Sequence, residues 1–264
     1  LDAVGLDPRD RGFTLGDGLF ETMLWTGETV RFGADHMARL AHGAAWLGLP
    51  LPRDGRDILE GMRALALAGA RAGARAAIRL TLTRGVGPRG LAPPEAPRPR
   101  LLATLAPAPT EGGEGPVRLH KSPVVRAAGT PSARFKTLSY IDNVVALRAA
   151  RAAGMEDAVL CNWHGRPACA TAGNLIVILD GRALTPPVGD GALPGIVRGR
   201  LLAAGLVEEA EIEFEALGAC QAMATTNALV GVRPVDAWEG RALDRGDARL
   251  ATMAAFIAGL TTSP

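Results

Sequence analysis

The spacing of apolar and polar positions changes several times along the 264-residue chain, and each change marks an element. From Asp35 to about Leu47, the residues Leu40, Ala44 and Leu47 share one face at helical spacing. Asp35 can cap the start, and Gly48 with Pro50 ends the helix. A second helix is expected from about Asp57 to Ala72. Ile78, Leu80 and Leu82 then alternate with Arg79, Thr81 and Thr83, which is the period of a strand with one buried face. Upstream, the Gly- and aromatic-rich stretch Phe13 to Trp25, followed by a turn at Thr26-Gly27-Glu28, predicts a hairpin, and another strand is expected at about Arg100 to Leu105.

Ala106 to Pro116 has no apolar period and is rich in Pro, Gly and Glu, so it reads as an interdomain linker. The expected division is an N-terminal domain over 1–107, a linker over 108–116 and a C-terminal domain over 117–264. In the second part, strand signals lie near Val117 to Val125, Ala158 to Cys161, Leu175 to Leu179, Glu211 to Phe214 and Met223 to Asn227. Helices are expected from about Tyr140 to Ala153, from near Gly195 and from about Asp247 to Ala258, with a turn at Trp163-His164-Gly165-Arg166. Strands and helices are thus interleaved in both parts of the chain.

Composition narrows the function classes. With 48% hydrophobic and 21% charged residues the chain is globular. No apolar run approaches the roughly eighteen residues needed to cross a bilayer, and Leu1 to Asp10 lacks a signal-peptide layout, so a cytoplasmic protein is expected. A net charge of +2 with both signs interspersed gives no footprint for nucleic acid or membrane. Cys161, Cys169 and Cys220 are too widely spaced for a disulfide framework or a zinc site, and the four histidines lack ligand spacing, so no metal is expected.

Lysine usage is informative. Lys121 and Lys136 are the only lysines among 29 basic residues, which makes each a candidate for chemistry that a guanidinium cannot perform. A buried amine can lose its proton and attack a carbonyl. Three other features suit anions. A Gly-rich loop, Val188 to Gly191, precedes Pro194-Gly195-Ile196-Val197-Arg198, which reads as a helix N-terminus with open backbone N–H groups. Arg39 lies on a helix whose other face is apolar, and its fork matches a phosphate. Arg84 and Arg89 flank a glycine-rich loop that can bend both toward one carboxylate.

These features follow one another in an order that resembles the class IV aminotransferases, the fold-type IV pyridoxal-phosphate enzymes. Asp10-Arg-Gly-Phe-Thr-Leu-Gly-Asp-Gly-Leu-Phe-Glu-Thr22 resembles the opening motif of that family, and His36-Met-Ala-Arg-Leu40 follows at its spacing. Arg84-Gly-Val-Gly-Pro-Arg-Gly90 looks like the substrate-side loop, Phe135-Lys-Thr-Leu-Ser-Tyr140 with Asn143 like the lysine segment, and Gly195-Ile-Val-Arg198 like the phosphate loop. The resemblance implies an N-terminal α/β sandwich domain, a larger C-terminal pseudo-barrel domain, a homodimer, and pyridoxal 5'-phosphate bound as a Schiff base to Lys136. It further implies phosphate contacts from Arg39, the N–H groups of Ile196 and Val197, and Thr226 with Asn227. Asn174 and Cys169 fall on its cofactor side, and Phe20, Arg84 and Arg89 on the side of a small amino-compound substrate bearing a carboxylate.

One departure bears on the reaction. Within Gly165 to Asn174 the family has glutamate where this chain has Cys169, and a thiol is a weak partner for a pyridine nitrogen. A poorer electron sink favours a lyase that gains an aromatic ring over a transaminase. Asn227-Ala-Leu-Val and Arg84 to Gly90 also look closer to 4-amino-4-deoxychorismate lyase, which releases pyruvate and forms 4-aminobenzoate for folate. That reaction is expected first, a D-amino-acid or branched-chain type aminotransferase second, and a non-catalytic protein of the same fold third.

Overall fold

The computed structural model describes residues 5–71 and 73–260. The chain divides into two compact units. One runs as far as Ala108 and takes in Lys136–Ser139; the other comprises Pro109–Phe135 and the chain from Tyr140 onward.

In the first unit, α1 (Arg11–Leu15) is capped by Asp10, whose carboxylate accepts from Gly12 N, and stops at Gly16 with φ 68°. β1 (Gly18–Trp25) leads into the expected turn, where Trp25 meets Val30 in an antiparallel bridge and Arg31 N bonds to Leu24 O, but the return arm extends no further as a strand. Thr26 N bonds to Thr29 O, and the chain passes through Phe32 at φ 57° straight into α2 (Gly33–Trp46), two residues before the expected cap Asp35. α3 (Gly55–Gly69) is capped by Asp54 and closes before Ala72, the expected end, which lies outside the described residues. β2 (Ala76–Thr83) is the half-buried strand of the sequence pattern: Ile78, Leu80 and Leu82 are fully buried. It pairs antiparallel with β1 on one side and with β3 (Arg100–Pro107) on the other. α2 covers this sheet by packing on β1. Lys136–Ser139 is stitched onto the same strand, with Phe20 N donating to Lys136 O at 2.9 Å and Leu138 N to Gly18 O at 3.1 Å.

The second unit begins with β4 (Arg118–Lys121), α4 (Pro131–Arg134) and α5 (Ile141–Ala152). The expected strand over Val117 to Val125 is cut short by Pro123, which has no N–H to give to a ladder. Next come β5 (Asp157–Cys161), β6 (Pro167–Ala170), β7 (Asn174–Leu179), β8 (Arg182–Thr185), α6 (Ile196–Ala203) and β9 (Glu208–Glu209). β10 (Ala222–Asn227), β11 (Gly231–Pro234), β12 (Ala237–Trp238), β13 (Arg241–Ala242) and α7 (Ala248–Gly259) complete it.

The strands form two five-stranded sheets, β11-β10-β7-β8-β9 and β13-β12-β4-β5-β6. Leu119, Val159 and Trp238 of one sheet share a buried core with Leu175, Val177, Leu184 and Met223 of the other. The strand expected at Glu211 to Phe214 is absent, and Phe214–Gly218 is a 3-10 turn. The alternation there was real but reports side-chain burial alone: Ile212 is buried and Phe214 meets Trp238 edge-on at 5.8 Å, with no strand alongside to take the backbone. The expected linker is anchored rather than free, since Gly112 N bonds to Val230 O and Arg233 reaches the carbonyls of Glu114 and Gly115.

Candidate active site

In the first unit, β1 alternates its side chains between the two faces of the sheet. Phe20 shares its surroundings with Lys136, whose Nζ stands 4.2 Å from the ring centroid, and with Arg79 on β2, whose guanidinium carbon is 3.8 Å from it. Two cations against one buried ring hold the amine and a guanidinium at a common apolar surface. Arg79 was not anticipated, because one arginine facing outward in an alternating strand looks like any solvent-facing charge.

The next residue of β1, Glu21, faces α2 and is 1% exposed. Arg39 Nε donates to its Oε1 at 2.8 Å and Nη2 to its Oε2 at 2.6 Å, while His36 Nδ1 lies 2.7 Å from Oε2. Burial alone would push the Glu21 carboxyl up, but hydrogen bonds from Arg39 and His36 outweigh it and bring the pKa from 4.5 down to about 2. Burial pushes the fully buried His36 down, against the pull of Glu21. The fork of Arg39 is thus engaged by a carboxylate of its own domain, in addition to any anion it meets. Glu21 was missed in the sequence, although a lone carboxylate inside the apolar run Leu19 to Trp25 was the available signal.

Both depressed groups make the fold acid-labile. The unfolded chain takes up a proton on His36 below about pH 6.5, which the folded state resists, so stability declines from there downward. The Glu21 contribution, on the order of 3 kcal/mol, is complete above about pH 4.5 and is lost as pH falls toward about 2. Acid titration of the melting temperature should therefore show a second, steeper fall below pH 4.5 that Glu21→Gln removes; an unchanged acid limb in that variant counts against the assignment.

Arg84 departs from its expected role at the substrate. It is 6% exposed, with Nε on Asp17 at 2.8 Å, Nη1 on Gly48 O and Nη2 on Leu47 O, so it ties the loop to the end of α2. Arg11, another buried residue that the sequence did not single out, also bonds Asp17 and grips the carbonyls of Gly90, Leu91 and Ala92. Together they fix the Arg84 to Gly90 loop, whose Gly85 adopts φ 82°, and Arg89 is left exposed near its tip.

The second unit supplies an anion cradle. α6 carries no side-chain cap, so its first-turn N–H groups, those of Ile196 and Val197 included, face outward with the helix dipole behind them. Asn174 Nδ2 holds Leu193 O at 2.8 Å just before the helix, and a Cβ at position 195 would collide with Asn174 Oδ1, so glycine is required there. Thr226 pairs with Asn174 across β10 and β7; it is 1% exposed and its Oγ1 has no partner among the described residues. A buried hydroxyl without a partner is costly unless a ligand completes it. Asn227 is used otherwise: its Oδ1 accepts from Leu229 N and Val230 N and shapes the following turn.

Cys169 on β6 is 6% exposed, opposite Leu160 and among Ala146, Ala168 and Val124. Burial pushes its thiol pKa up, so it is neutral at ordinary pH. Lys121 Nζ lies over the Phe214 ring at 4.2 Å, within the second unit. Among the described residues no helix is long and apolar enough to cross a membrane.

A two-unit mixed α/β chain with a lysine beside β1, and with an uncapped helix and an unpartnered buried threonine among the described residues of its second unit, matches a known family. Amino-transferase class IV covers residues 18–238, and the chain belongs to it. It is accordingly an enzyme, and its cofactor is pyridoxal phosphate. Among its relatives is a protein of Methanocaldococcus jannaschii provisionally named a branched-chain-amino-acid aminotransferase, 30% identical over 79% of this chain and 72% of that one. A Pseudomonas aeruginosa 4-amino-4-deoxychorismate lyase structure is 27% identical, covering 98% of this chain and 97% of its own at TM-score 0.82. A Legionella pneumophila structure provisionally named as the same lyase is 26% identical, with 98% and 96% covered, at TM-score 0.89.

Proposed function

We propose that the chain is a pyridoxal-phosphate lyase of the 4-amino-4-deoxychorismate type, releasing pyruvate and leaving an aromatic amine. The observation that carries this reading is the neutral, buried thiol of Cys169 at the position the family gives to glutamate. The unpartnered Thr226 hydroxyl and the uncapped α6 fit the cofactor's phosphate, with Arg39 as its cationic partner. Bound there, the cofactor supplies an aldehyde for covalent capture of an amine and a ring that accepts electrons.

The protein's own groups do the remaining work. Lys136 would be the residue that holds the cofactor covalently, and its Nζ, when free, would serve as general base and then general acid. Phe20 gives that amine a fixed neighbour, its ring centroid 4.2 Å from Nζ. Arg79 on the same ring and Arg89 on the braced loop are the guanidinium groups proposed to orient the substrate carboxylate, whereas Arg84 braces the loop. A neutral thiol at position 169 would provide no charge to keep a cofactor ring nitrogen protonated, which would suit elimination driven by aromatisation better than amino-group exchange.

A cytoplasmic homodimer is part of the proposal. Ile141 and Val144, exposed on one face of α5, are apolar side chains that a second copy would cover, and sedimentation at micromolar concentration tests it. The deciding assay supplies aminodeoxychorismate to the purified protein and follows pyruvate. Pyruvate release with little exchange between amino acids and 2-oxoglutarate is the expected result. Exchange without pyruvate favours the second reading, a branched-chain or D-amino-acid aminotransferase, which the relation to the Methanocaldococcus jannaschii protein supports.

A further inference from the structure

We infer that Glu21 is a positioning residue for anion recognition, acting through Arg39, with His36 as the brace that holds its carboxylate in place. The inference rests on the reading of Arg39 as the phosphate's cationic partner and goes beyond it by naming what sets that guanidinium.

The geometry is that of a device rather than of a stabilising pair. Arg39 is gripped at two points, Nε to Oε1 and Nη2 to Oε2, which fixes the plane of the guanidinium as well as its position. A single contact would leave the long side chain free to swing about its bonds. The carboxylate that grips it sits on β1, an edge strand of the sheet β1-β2-β3 that α2 covers, and is itself 1% exposed. His36, one helical turn before Arg39 on α2, bonds the same Oε2 at 2.7 Å, so Glu21 cannot rotate away. His36 is fully buried and its Nε2 has no partner among the described residues. With the ring neutral, Nδ1 carries the proton that Glu21 accepts, and Nε2 is left as a bare acceptor.

Such an arrangement is hard to explain by stability alone. Buried ion pairs roughly break even against well-packed apolar groups, and an unpartnered buried acceptor adds a cost. An all-apolar seam between α2 and β1 would hold the two elements together at least as well. What the network supplies instead is a guanidinium of fixed orientation, on the element next to the one that carries Phe20 and its neighbour Lys136.

The test compares pyridoxal phosphate with pyridoxal, which has the same aldehyde and ring without the phosphate. Each is titrated into full-length apoprotein, following the absorbance that appears when the aldehyde condenses with Lys136. Losing a charge-assisted contact at the phosphate corresponds to roughly tenfold or more in affinity. Glu21→Gln is expected to weaken pyridoxal phosphate by about that factor while leaving pyridoxal within about twofold. In an Arg39→Ala background, Glu21→Gln should then have almost no further effect, because it works through the missing group.

Equal weakening of both ligands by Glu21→Gln would assign Glu21 a merely structural part and overturn the inference. So would a Glu21→Gln protein that keeps its preference for the phosphorylated ligand while Arg39→Ala loses it. If Arg39→Ala itself leaves the preference intact, the phosphate reading of Arg39 fails and this inference falls with it. Should Glu21→Gln not fold, Glu21→Asp keeps the charge but withdraws the carboxylate, and the same loss of preference is expected from it.

Discussion

Lys136→Ala is expected to lose both the cofactor's visible absorbance and turnover, the latter by roughly 10²- to 10⁴-fold or more. The size follows from the proposal that one amine serves as covalent anchor and as proton carrier. Arg79 is beside the same Phe20 ring, but a guanidinium neither condenses with an aldehyde nor gives up its proton at neutral pH. The fold should survive, because the segment is held by its backbone: Phe20 N to Lys136 O, Leu138 N to Gly18 O, and the Thr137 bridge to Leu19. A melting temperature close to that of the parent, with partial recovery of turnover on adding a small primary amine, would complete the pattern. Lys121→Ala, removing the other lysine from its place over Phe214, should leave turnover unchanged. Colour and activity persisting in Lys136→Ala would sink the mechanism.

The second large effect is expected from Cys169→Glu. In the parent, the thiol occupies an apolar setting with Ala146, Leu160 and Ala168, and burial keeps it protonated. Arg126 is the cation that acts on it, but that guanidinium is committed to the carbonyls of Gly191, Ser132 and Ala133, while Asp157 opposes any further negative charge. A carboxylate placed there without a partner should cost the apoprotein about 3–5 kcal/mol. Cofactor bound with a protonated ring nitrogen would supply that partner, so the loss should be largely recovered in the holoprotein. Amino-group exchange should then rise about tenfold or more relative to pyruvate release. Cys169→Gln separates charge from size. If Glu and Gln behave alike, or if the cofactor fails to restore the melting temperature of Cys169→Glu, position 169 does not face the ring nitrogen and the choice of lyase loses its main support.

Some of this was present in the order of residues. The alternation of Ile78, Leu80 and Leu82, the α2 stripe and the scarcity of lysine are local properties, set by backbone period and by what a given side chain can do chemically. They sufficed for β2, for most of the long helices and for the family, and they singled out Lys136 as the candidate amine. Cys169 was legible for the same reason: its meaning came from a position within a short motif.

Tertiary structure decided the partners. Arg84 and Arg89 flank the same glycines and look equivalent in sequence, yet one is consumed by Asp17 and two carbonyls while the other stays exposed, because Asp17 and the end of α2 lie on the Arg84 side. Arg39 and Glu21 are 18 residues apart and meet only because α2 folds back over β1. The same fold-back leaves His36 without a partner for Nε2 among the described residues, and β10 alongside β7 sets Thr226 opposite Asn174. A one-dimensional pattern reports which face is buried; which charges share that burial depends on elements far apart in the chain, and so do the shifts in proton affinity that follow from it.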